Sequence, residues 1–457
     1  MKTVWEKYNE QQMEAVKEFN QGYKKYISDC KTERECVVES IRIAEEYGYK
    51  NLKDLIASQT AVKTGDKVYY NNMGKSLILF HIGEEPLENG MNILGAHIDS
   101  PRIDLKQHPI YEDKNLCLLK THYYGGIKKY QWVTTPLAMH GVVCKKDGTS
   151  VNIVIGEDEN DPVLGITDLL PHLARGQMEK PAPKIIEGEE LNITFGSIPL
   201  KDEEKEPVKA NIMKMLKDRY GIEEDDFMSA EIEIVPAGKA RDYGLDRGMV
   251  MGYGQDDRVC AYTSLMALLD TPTQKKTTCA LLVDKEEVGS IGATGMHSIF
   301  FENALVELLE LAGGFSELKL RRLYNNTDML SSDVSAGYDP TFPGVNEPMN
   351  SAYIGGGMCL NKYTGSGGKG GCNDANPEFI ARIRAAFEKH DVTFQTAELG
   401  RVDCGGGGTI AYIMAQYNMN VIDAGVAVLS MHAPWEVTSQ ADVYETYRGY
   451  KAFLEEM

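Results

Sequence analysis

Two adjacent glutamates, Glu286 and Glu287, follow an apolar run that begins at Ala280. The run has no polar face, which is the pattern of a strand buried on both sides of a sheet. Carboxylates at the carboxyl end of such a strand lie where open α/β sheets place their functional sites. Because neighbouring residues on an extended chain point in opposite directions, one glutamate could bind a metal ion while the other faces a metal-bound water. An ordinary acidic loop is the alternative.

Other histidines and carboxylates also follow predicted strands or open a helix. Taken singly, His97 is typical of a hydrogen-bonded structural histidine, and Asp256 is typical of a helix N-cap. Four separate strands nevertheless end in a histidine or a carboxylate, and we expect these ends to share one edge of one sheet. Two histidines with three or four carboxylates can hold two divalent ions that share a bridging aspartate. The residues from which these ligands would come are His97, Asp99, Asp256, Glu286, Glu287, Asp333 and His432.

The elements around these residues predict two domains. Strands alternate with helices over residues 1–105 and 237–457, which predicts one α/β domain of three layers with a mixed, mostly parallel sheet. Its last strand is predicted over residues 420–430, just before His432. Residues 106–236 show short alternating runs and proline-rich loops, which predict an inserted, mainly β second domain.

Composition limits the classes of function and partner. The net charge of −20 argues against nucleic acid or an anionic membrane as a partner, because both require clustered positive charge. No run of about 18 apolar residues is present, and the amino terminus lacks an apolar signal core, so we expect a cytoplasmic protein. The nine cysteines form no C-x-x-C pair. Any metal would therefore be held by histidines and carboxylates rather than thiolates.

Two other motifs suggest different chemistry and are incomplete. The glycine-rich segment around Lys369 lacks the Ser or Thr that a phosphate-binding loop requires, since Gly370 follows the lysine. Ser366 stands between glycines but without the G-x-S-x-G spacing of a nucleophile elbow. Nucleotide binding and serine hydrolysis are therefore both disfavoured.

Taken together, the motifs resemble those of the aspartyl aminopeptidase family, co-catalytic metallo-aminopeptidases with a zinc-peptidase α/β fold. The resemblance spans nearly the whole chain in the expected order. Its segments are His97-Ile98-Asp99-Ser100-Pro101, Tyr124-Gly125-Gly126-Ile127, Leu169-Leu170-Pro171-His172-Leu173-Ala174, Asp256-Asp257, Asp284-Lys285-Glu286-Glu287-Val288-Gly289-Ser290, Ser332-Asp333, Met431-His432 and Asp442-Val443-Tyr444-Glu445-Thr446.

The resemblance implies two divalent metal ions in each subunit. His97 and Asp333 are implied to bind one ion, Glu287 and His432 the other, and Asp256 to bridge both. Zinc is the first expectation, with cobalt or manganese as alternatives, because histidine and carboxylate ligands accept all three.

The resemblance also implies catalytic roles and an assembly. Glu286 is the implied general base, and Asp99 is implied to hold His97 in the correct tautomer. His172 matches a family histidine that reaches the site of a neighbouring subunit, where it could stabilise the oxyanion. The inserted domain is implied to mediate subunit contacts in a tetrahedral homo-dodecamer.

The implied substrates are peptides with a free amino terminus, which the family cleaves after an amino-terminal Asp or Glu. Asp257-Arg258 and Lys285 depart from the commoner family residues and favour the alternative of broader specificity. An acidic substrate side chain needs a cation, for which Lys362 and Lys369 are candidates. Asp257 is a candidate partner for the substrate amine.

Other functions remain open at this point. A carboxypeptidase or deacylase would use the same metal architecture. A non-catalytic assembly protein would be expected to lack a ligand or the base, and this chain retains all of them. A glycosidase using Glu286 and a second carboxylate would leave His97 and His432 without a role.

Overall fold

The computed structural model of the chain describes residues 2–457. Within these residues twelve α-helices, labelled α1 to α12 in chain order, cover Val4–Lys7, Glu10–Asp29, Glu33–Glu46, Leu52–Ser58, Arg175–Met178, Pro207–Tyr220, Gln255–Leu269, Phe300–Leu311, Glu317–Asn325, Pro377–Lys389, Ala411–Ala415 and Gln440–Glu456. Twenty strands of the same described chain, β1 to β20, cover Lys50–Asn51, Lys67–Asn72, Ser76–His81, Met91–His97, Arg102–Asp113, Leu116–Tyr124, Leu137–Cys144, Ser150–Ile155, Ile193–Gly196, Ala230–Pro236, Arg241–Tyr243, Met249–Gly252, Thr277–Val283, Asp328–Ser331, Ser335–Ala336, Met358–Asn361, Phe394–Thr396, Asn420–Gly425, Ala427–Leu429 and Glu436–Ser439.

The elements form two compact units. The first unit contains the chain up to Asp99, Ala240–Met431 and Glu436–Met457. The second unit contains Ser100–Lys239 together with the four residues His432–Trp435. The boundaries expected from sequence lie after residues 105 and 236, and no pattern in the sequence indicates that His432–Trp435 packs with the second unit.

The first unit is built on a nine-stranded mixed sheet in the order β1-β2-β3-β13-β4-β14-β18-β16-β17. The central strands β13, β4, β14 and β18 are parallel, whereas β3 and β16 run antiparallel to their neighbours in that group. Helices α2, α3, α7, α10 and α12 bury apolar residues on one face of the sheet, and α4, α8, α9 and α11 do so on the other. The predicted three-layer α/β architecture is therefore confirmed.

The apolar runs account for this central position of the strands. All seven residues of β13 and of β4 are buried, which requires cover on both faces of the sheet. A smaller sheet of the same unit joins β11, β12, β20, β19 and β15.

The second unit contains a six-stranded sheet in the order β8-β7-β10-β5-β6-β9. Every neighbouring pair in it is antiparallel, and β5 and β6 form its longest hairpin. The predicted mainly β character of the insertion is confirmed.

Two local predictions are wrong. The strand expected over residues 420–430 is divided into β18 and β19, which belong to different sheets. The division falls at Gly425, where an added Cβ would lie 2.0 Å from the carbonyl oxygen of Asp333, so the two backbones pass too closely for a side chain. Gly254, and not Asp256, precedes the first residue of α7, and the helix is kinked at Asp256 and Asp257, whose backbone angles are non-helical.

Hydropathy gives one further structural finding. None of the helices between residues 2 and 457 is both long enough and apolar enough to cross a bilayer.

Candidate metal centre

The parallel strands bring their carboxyl ends to one edge of the nine-stranded sheet. β4 pairs with β13 so that His97 lies opposite Val283, and it pairs with β14 so that Gly95 lies opposite Ser331. Residues that directly follow the three strands therefore lie at the same edge. This register brings His97, the glutamate pair after β13 and Asp333 to one region of the first unit.

His97, Asp256 and Asp333 form a compact group of potential metal ligands. One ligand atom from each lies within 4.8 Å of the others. His97 Nε2 lies 3.1 Å from Asp256 Oδ1, and both residues are buried. Asp256 reaches this position from the first turn of α7, where its non-helical backbone departs from the helix. One imidazole nitrogen and two carboxylates are a donor set that zinc accepts.

Main-chain hydrogen bonding determines which nitrogen of His97 is available. Nδ1 lies 2.9 Å from the backbone carbonyl oxygen of Asp99, whereas the nearest carboxylate oxygen of Asp99 lies at 3.4 Å. A carbonyl oxygen only accepts, so Nδ1 carries a proton, and Nε2 is the nitrogen that could bind a metal ion once it carries no proton. Asp99 thus faces Nδ1 of His97 with its backbone carbonyl oxygen and, at a longer distance, with its carboxylate.

The carboxylate of Asp99 also holds the turn that carries the two glutamates. Its oxygens accept the backbone N–H groups of Glu286 at 3.1 Å and of Glu287 at 3.2 Å, and the residue is fully buried. The glutamates lie in a 3₁₀ turn, Glu286–Val288, entered through Lys285 at φ 71°. The two glutamates therefore lie on a turn, and not on the extended strand that the sequence predicted.

A buried ion cluster adjoins the turn that carries the two glutamates. The sequence analysis assigned no role to its residues. Asp284, which ends the apolar run, accepts the hydroxyl of Thr294 and the N–H of Lys285. Lys75 Nζ lies 3.0 Å from Glu33 and 3.5 Å from Asp284. Desolvation and the charge of Glu33 raise the pKa of Asp284 to about 7, although Lys75 opposes them. The position of Asp284, a carboxylate directly after a buried strand, was the sequence signal that could have indicated this cluster.

The electrostatics of the group fit a bound cation. Desolvation, reinforced by the negative charges of Glu286 and Asp256, holds the pKa of Asp333 well above its usual range, although His97 opposes this shift. Burial disfavours the charged form of His97, but hydrogen bonds to Asp256 and Asp99 outweigh burial and raise its pKa. Carboxylates crowded in a desolvated site repel one another, and a divalent cation among them would remove that repulsion. The residues therefore fit a metal ion.

The structure gives two residues beside this group an internal role. Asp257 is fully buried, and its carboxylate accepts the backbone N–H of His97 at 3.3 Å. Arg258 is also fully buried and donates to the carbonyl oxygen of Cys30 at 2.8 Å. Asp257 is therefore not placed to receive a substrate amine, because burial and the His97 contact commit it to the protein interior.

The two lysines proposed as partners for an acidic substrate share one carboxylate. Lys362 lies 3.4 Å from Asp374, and Lys369 lies 3.0 Å from it. Both lysines are partly exposed, so these surface ion pairs are weak and could be exchanged for a ligand.

His172 and His432 belong to the second unit. His172 is exposed in a segment whose neighbours Leu169, Leu170 and Leu173 are 53%, 50% and 70% exposed. His432 lies at φ 65°, and its Nδ1 is 3.0 Å from the carbonyl oxygen of Gly126. As with His97, a backbone carbonyl accepts from Nδ1.

Comparison with known proteins gives one consistent result. The family model described as aminopeptidase I zinc metalloprotease (M18) matches residues 26–454. The chain is 63% identical over 454 residues to the probable M18 family aminopeptidase 1 of Clostridium acetobutylicum, covering 99% of this chain and 98% of that protein.

Solved structures agree with the sequence match. The crystal structure of an M18-family aminopeptidase from Thermotoga maritima is similar at a TM-score of 0.95 and 44% identity, covering 100% of this chain and 99% of that one. The structure of the S. cerevisiae mApe1 dodecamer is similar in fold at a TM-score of 0.76 and 19% identity, covering 96% of each chain.

Proposed function

This chain belongs to the M18 family of aminopeptidase I zinc metalloproteases, which confirms the resemblance seen in its motifs, and from that premise we propose that two divalent ions serve its catalysis. The chain is a metallo-aminopeptidase. The observation that carries the two-metal proposal is the convergence of His97, Asp256 and Asp333 at the sheet edge that also presents Glu286 and Glu287.

The proposed ligands divide into two sets with one shared member. His97 and Asp333 would hold one ion, Glu287 and His432 would hold the other, and Asp256 would contact both. The family indicates zinc, and cobalt or manganese remain alternatives for such donors. When bound, the ions would supply the Lewis acidity that lowers the pKa of a water and polarises a peptide carbonyl.

Glu286 is the proposed general base. Its side chain is partly exposed and lies 3.9 Å from His97 Nε2, so a carboxylate oxygen stands beside the ligand group. Glu286 would accept a proton from the attacking water and return it to the leaving amine. Asp99 assists by holding the backbone of Glu286 and Glu287 in the turn, which limits the directions in which the base can point.

The proposed substrates are peptides with a free amino terminus. A preference for an amino-terminal Asp or Glu is the finer proposal, and broader specificity is its alternative. Lys362 and Lys369 are the candidate cations for an acidic side chain of the substrate. That side chain would compete with Asp374 for the two lysines.

The proposed assembly is a homo-dodecamer, as in the similar structure from S. cerevisiae. The exposed leucines beside His172 favour a subunit contact there, because apolar side chains clustered on a surface mark interaction sites. His172 would then reach the site of a neighbouring subunit, and the second unit would mediate assembly. The proposed location is the cytoplasm, in keeping with nine cysteines that are all free thiols.

A hydrolysis panel tests the activity and the substrate together. Aminoacyl amides of Asp, Glu, Leu and Lys, with free and with blocked amino groups, would be assayed with chelator and then with added Zn²⁺, Co²⁺ or Mn²⁺. We expect metal-dependent cleavage of the free substrates only. Cleavage of blocked substrates alone would support a deacylase or carboxypeptidase, and cleavage that survives complete metal removal would contradict the two-metal proposal. Light scattering of the purified protein would measure the subunit count.

A further inference from the structure

A backbone carbonyl accepts a hydrogen bond from the imidazole of His432. Its Nδ1 lies 3.0 Å from the carbonyl oxygen of Gly126, 306 positions earlier in the sequence. Since a carbonyl oxygen only accepts, Nδ1 donates, and the lone pair of the neutral imidazole lies on Nε2. This is the tautomer that a histidine needs in order to bind a metal through Nε2. Both residues belong to the second unit.

The close approach of His432 leaves little room for a side chain at position 126. A Cβ added to Gly126 would lie 3.3 Å from His432 Nδ1 and 3.7 Å from Cε1. The first distance is shorter than ordinary van der Waals contact, so the imidazole would have to move by a few tenths of an ångström. Gly126 does not have a left-handed φ, so an alanine would act through this contact and not through backbone strain.

An ion cluster around the buried Arg102 contacts the strand end that leads to Gly126. β6 ends at Tyr124, which pairs in register with Arg102. The guanidinium carbon of Arg102 lies 3.9 Å from the centre of the Tyr124 ring. Arg102 is 2% exposed, and its Nε lies 2.8 Å from Asp104 and 3.2 Å from Glu233. Stacking on a desolvated cation holds the ring in place, and with it the chain that continues to Gly126.

We propose that Gly126 is a positioning residue of the metal centre, and that the Tyr124-Gly125-Gly126 segment orients the metal-binding nitrogen of His432. Gly126 and Tyr124 would then orient a proposed metal ligand that belongs to their own unit. The inference rests on the proposed function, specifically on His432 as a ligand.

The test compares Gly126→Ala with Gly165→Ala in the full-length protein. Gly165 is a matched control because it lies in the same unit, lacks a left-handed φ and would place its Cβ at an ordinary 3.6 Å from its nearest neighbour, the carbonyl oxygen of Thr135. Metal-free protein would be titrated with Zn²⁺ by calorimetry against a competing chelator. We expect Gly126→Ala to weaken one Zn²⁺ site about tenfold, as loss of an outer hydrogen-bond partner does, and to leave the other site and the melting temperature unchanged.

A His432→Ala variant in the same titration separates the inference from its premise. If His432→Ala loses one Zn²⁺ site while Gly126→Ala binds both sites as Gly165→Ala does, the positioning role is overturned and the ligand assignment stands. If His432→Ala retains both sites at wild-type affinity, the ligand assignment fails, and the positioning role fails with it.

If Gly126→Ala does not fold, a second variant tests the orientation of His432. Tyr124→Leu removes the ring that stacks on Arg102 but leaves Gly126 intact. We expect about threefold weaker Zn²⁺ binding at the same single site, since the stacking contact is modest. Unchanged binding at that site, with the protein folded, would overturn the proposed path from Arg102 to His432.

Discussion

The two histidines proposed as metal ligands make the same kind of hydrogen bond, from Nδ1 to a backbone carbonyl oxygen. The carbonyl comes from a neighbouring residue in one case and from a distant residue in the other. His97 ends a fully buried strand, and the carbonyl that accepts from its Nδ1 belongs to Asp99, two residues later. His432 has a φ of 65° and lies in the four-residue segment His432–Trp435. The carbonyl oxygen that accepts from its Nδ1 belongs to Gly126, on a distant part of the chain. One orientation is set by local chain geometry and the other by tertiary packing.

This difference determines how far a local change should spread. Asp99 serves His97 with its carbonyl oxygen and the Glu286 and Glu287 turn with its carboxylate, so the first region is coupled internally. Gly126 contributes only a carbonyl oxygen and the space beside the His432 ring. A change near His97 should therefore affect metal binding and proton transfer together, whereas a change near His432 should affect one metal site alone.

Replacing the base should give the largest effect. Glu286→Gln keeps the shape of the side chain and its turn but removes the proton acceptor, so we expect kcat to fall by about 10²- to 10⁴-fold. Metal content should remain at the wild-type value, because Glu286 is not a proposed ligand. Steady-state kinetics with metal analysis measures both quantities. Turnover at the wild-type rate would exclude Glu286 as the base.

Removing each histidine in turn should show that the two ligands serve different ions. His97→Ala and His432→Ala should each weaken one site by at least about 100-fold, the upper end of what loss of an outer-shell partner costs. Only one ion should be lost in each variant, and the retained site should differ between them. Zn²⁺ titration of the two variants and of the double variant measures this. Full retention of both ions in His97→Ala would remove it from the ligand set.

Changing only the carboxylate of Asp99 should have the smallest effect. Asp99→Asn keeps the carbonyl that orients His97 but replaces one charged acceptor of the glutamate turn with a donor. Hydrogen bonds to a charged group contribute about 1.5–3 kcal/mol, so we expect kcat to fall at least about tenfold while the His97 site keeps its metal. Kinetics and Zn²⁺ titration separate these outcomes. Loss of that ion with kcat per bound metal unchanged would show that the carboxylate serves His97 instead.

Much of the sheet and the position of its functional edge could be predicted from the sequence alone. The apolar runs of β4 and β13 end in His97 and in the two glutamates, and this local pattern is visible without coordinates. Parallel strands must place such ends at one edge, so the prediction that they share an edge needed only the alternation of strands and helices.

The predictions that failed concern backbone conformation that depends on distant partners. The N-cap expected at Asp256 and the single strand expected over residues 420–430 both follow from local preferences. Gly254 takes the N-cap position instead, and Gly425 ends β18 where the chain passes the carbonyl of Asp333. The end of β18 is an effect of close backbone packing, which no residue pattern encodes.

The sequence by itself therefore determined the residue types and the strand ends on which they stand, because burial on both faces leaves a continuous apolar run. Only the tertiary structure decided how those residues are oriented. The Asp99 carboxylate accepts the backbone N–H groups of Glu286 and Glu287. Lys75 pairs with Glu33 and Asp284, and the carbonyl oxygen of Gly126 accepts from His432. Each contact joins segments far apart in the chain, so it follows from the packing of whole elements and not from the preferences of neighbouring residues.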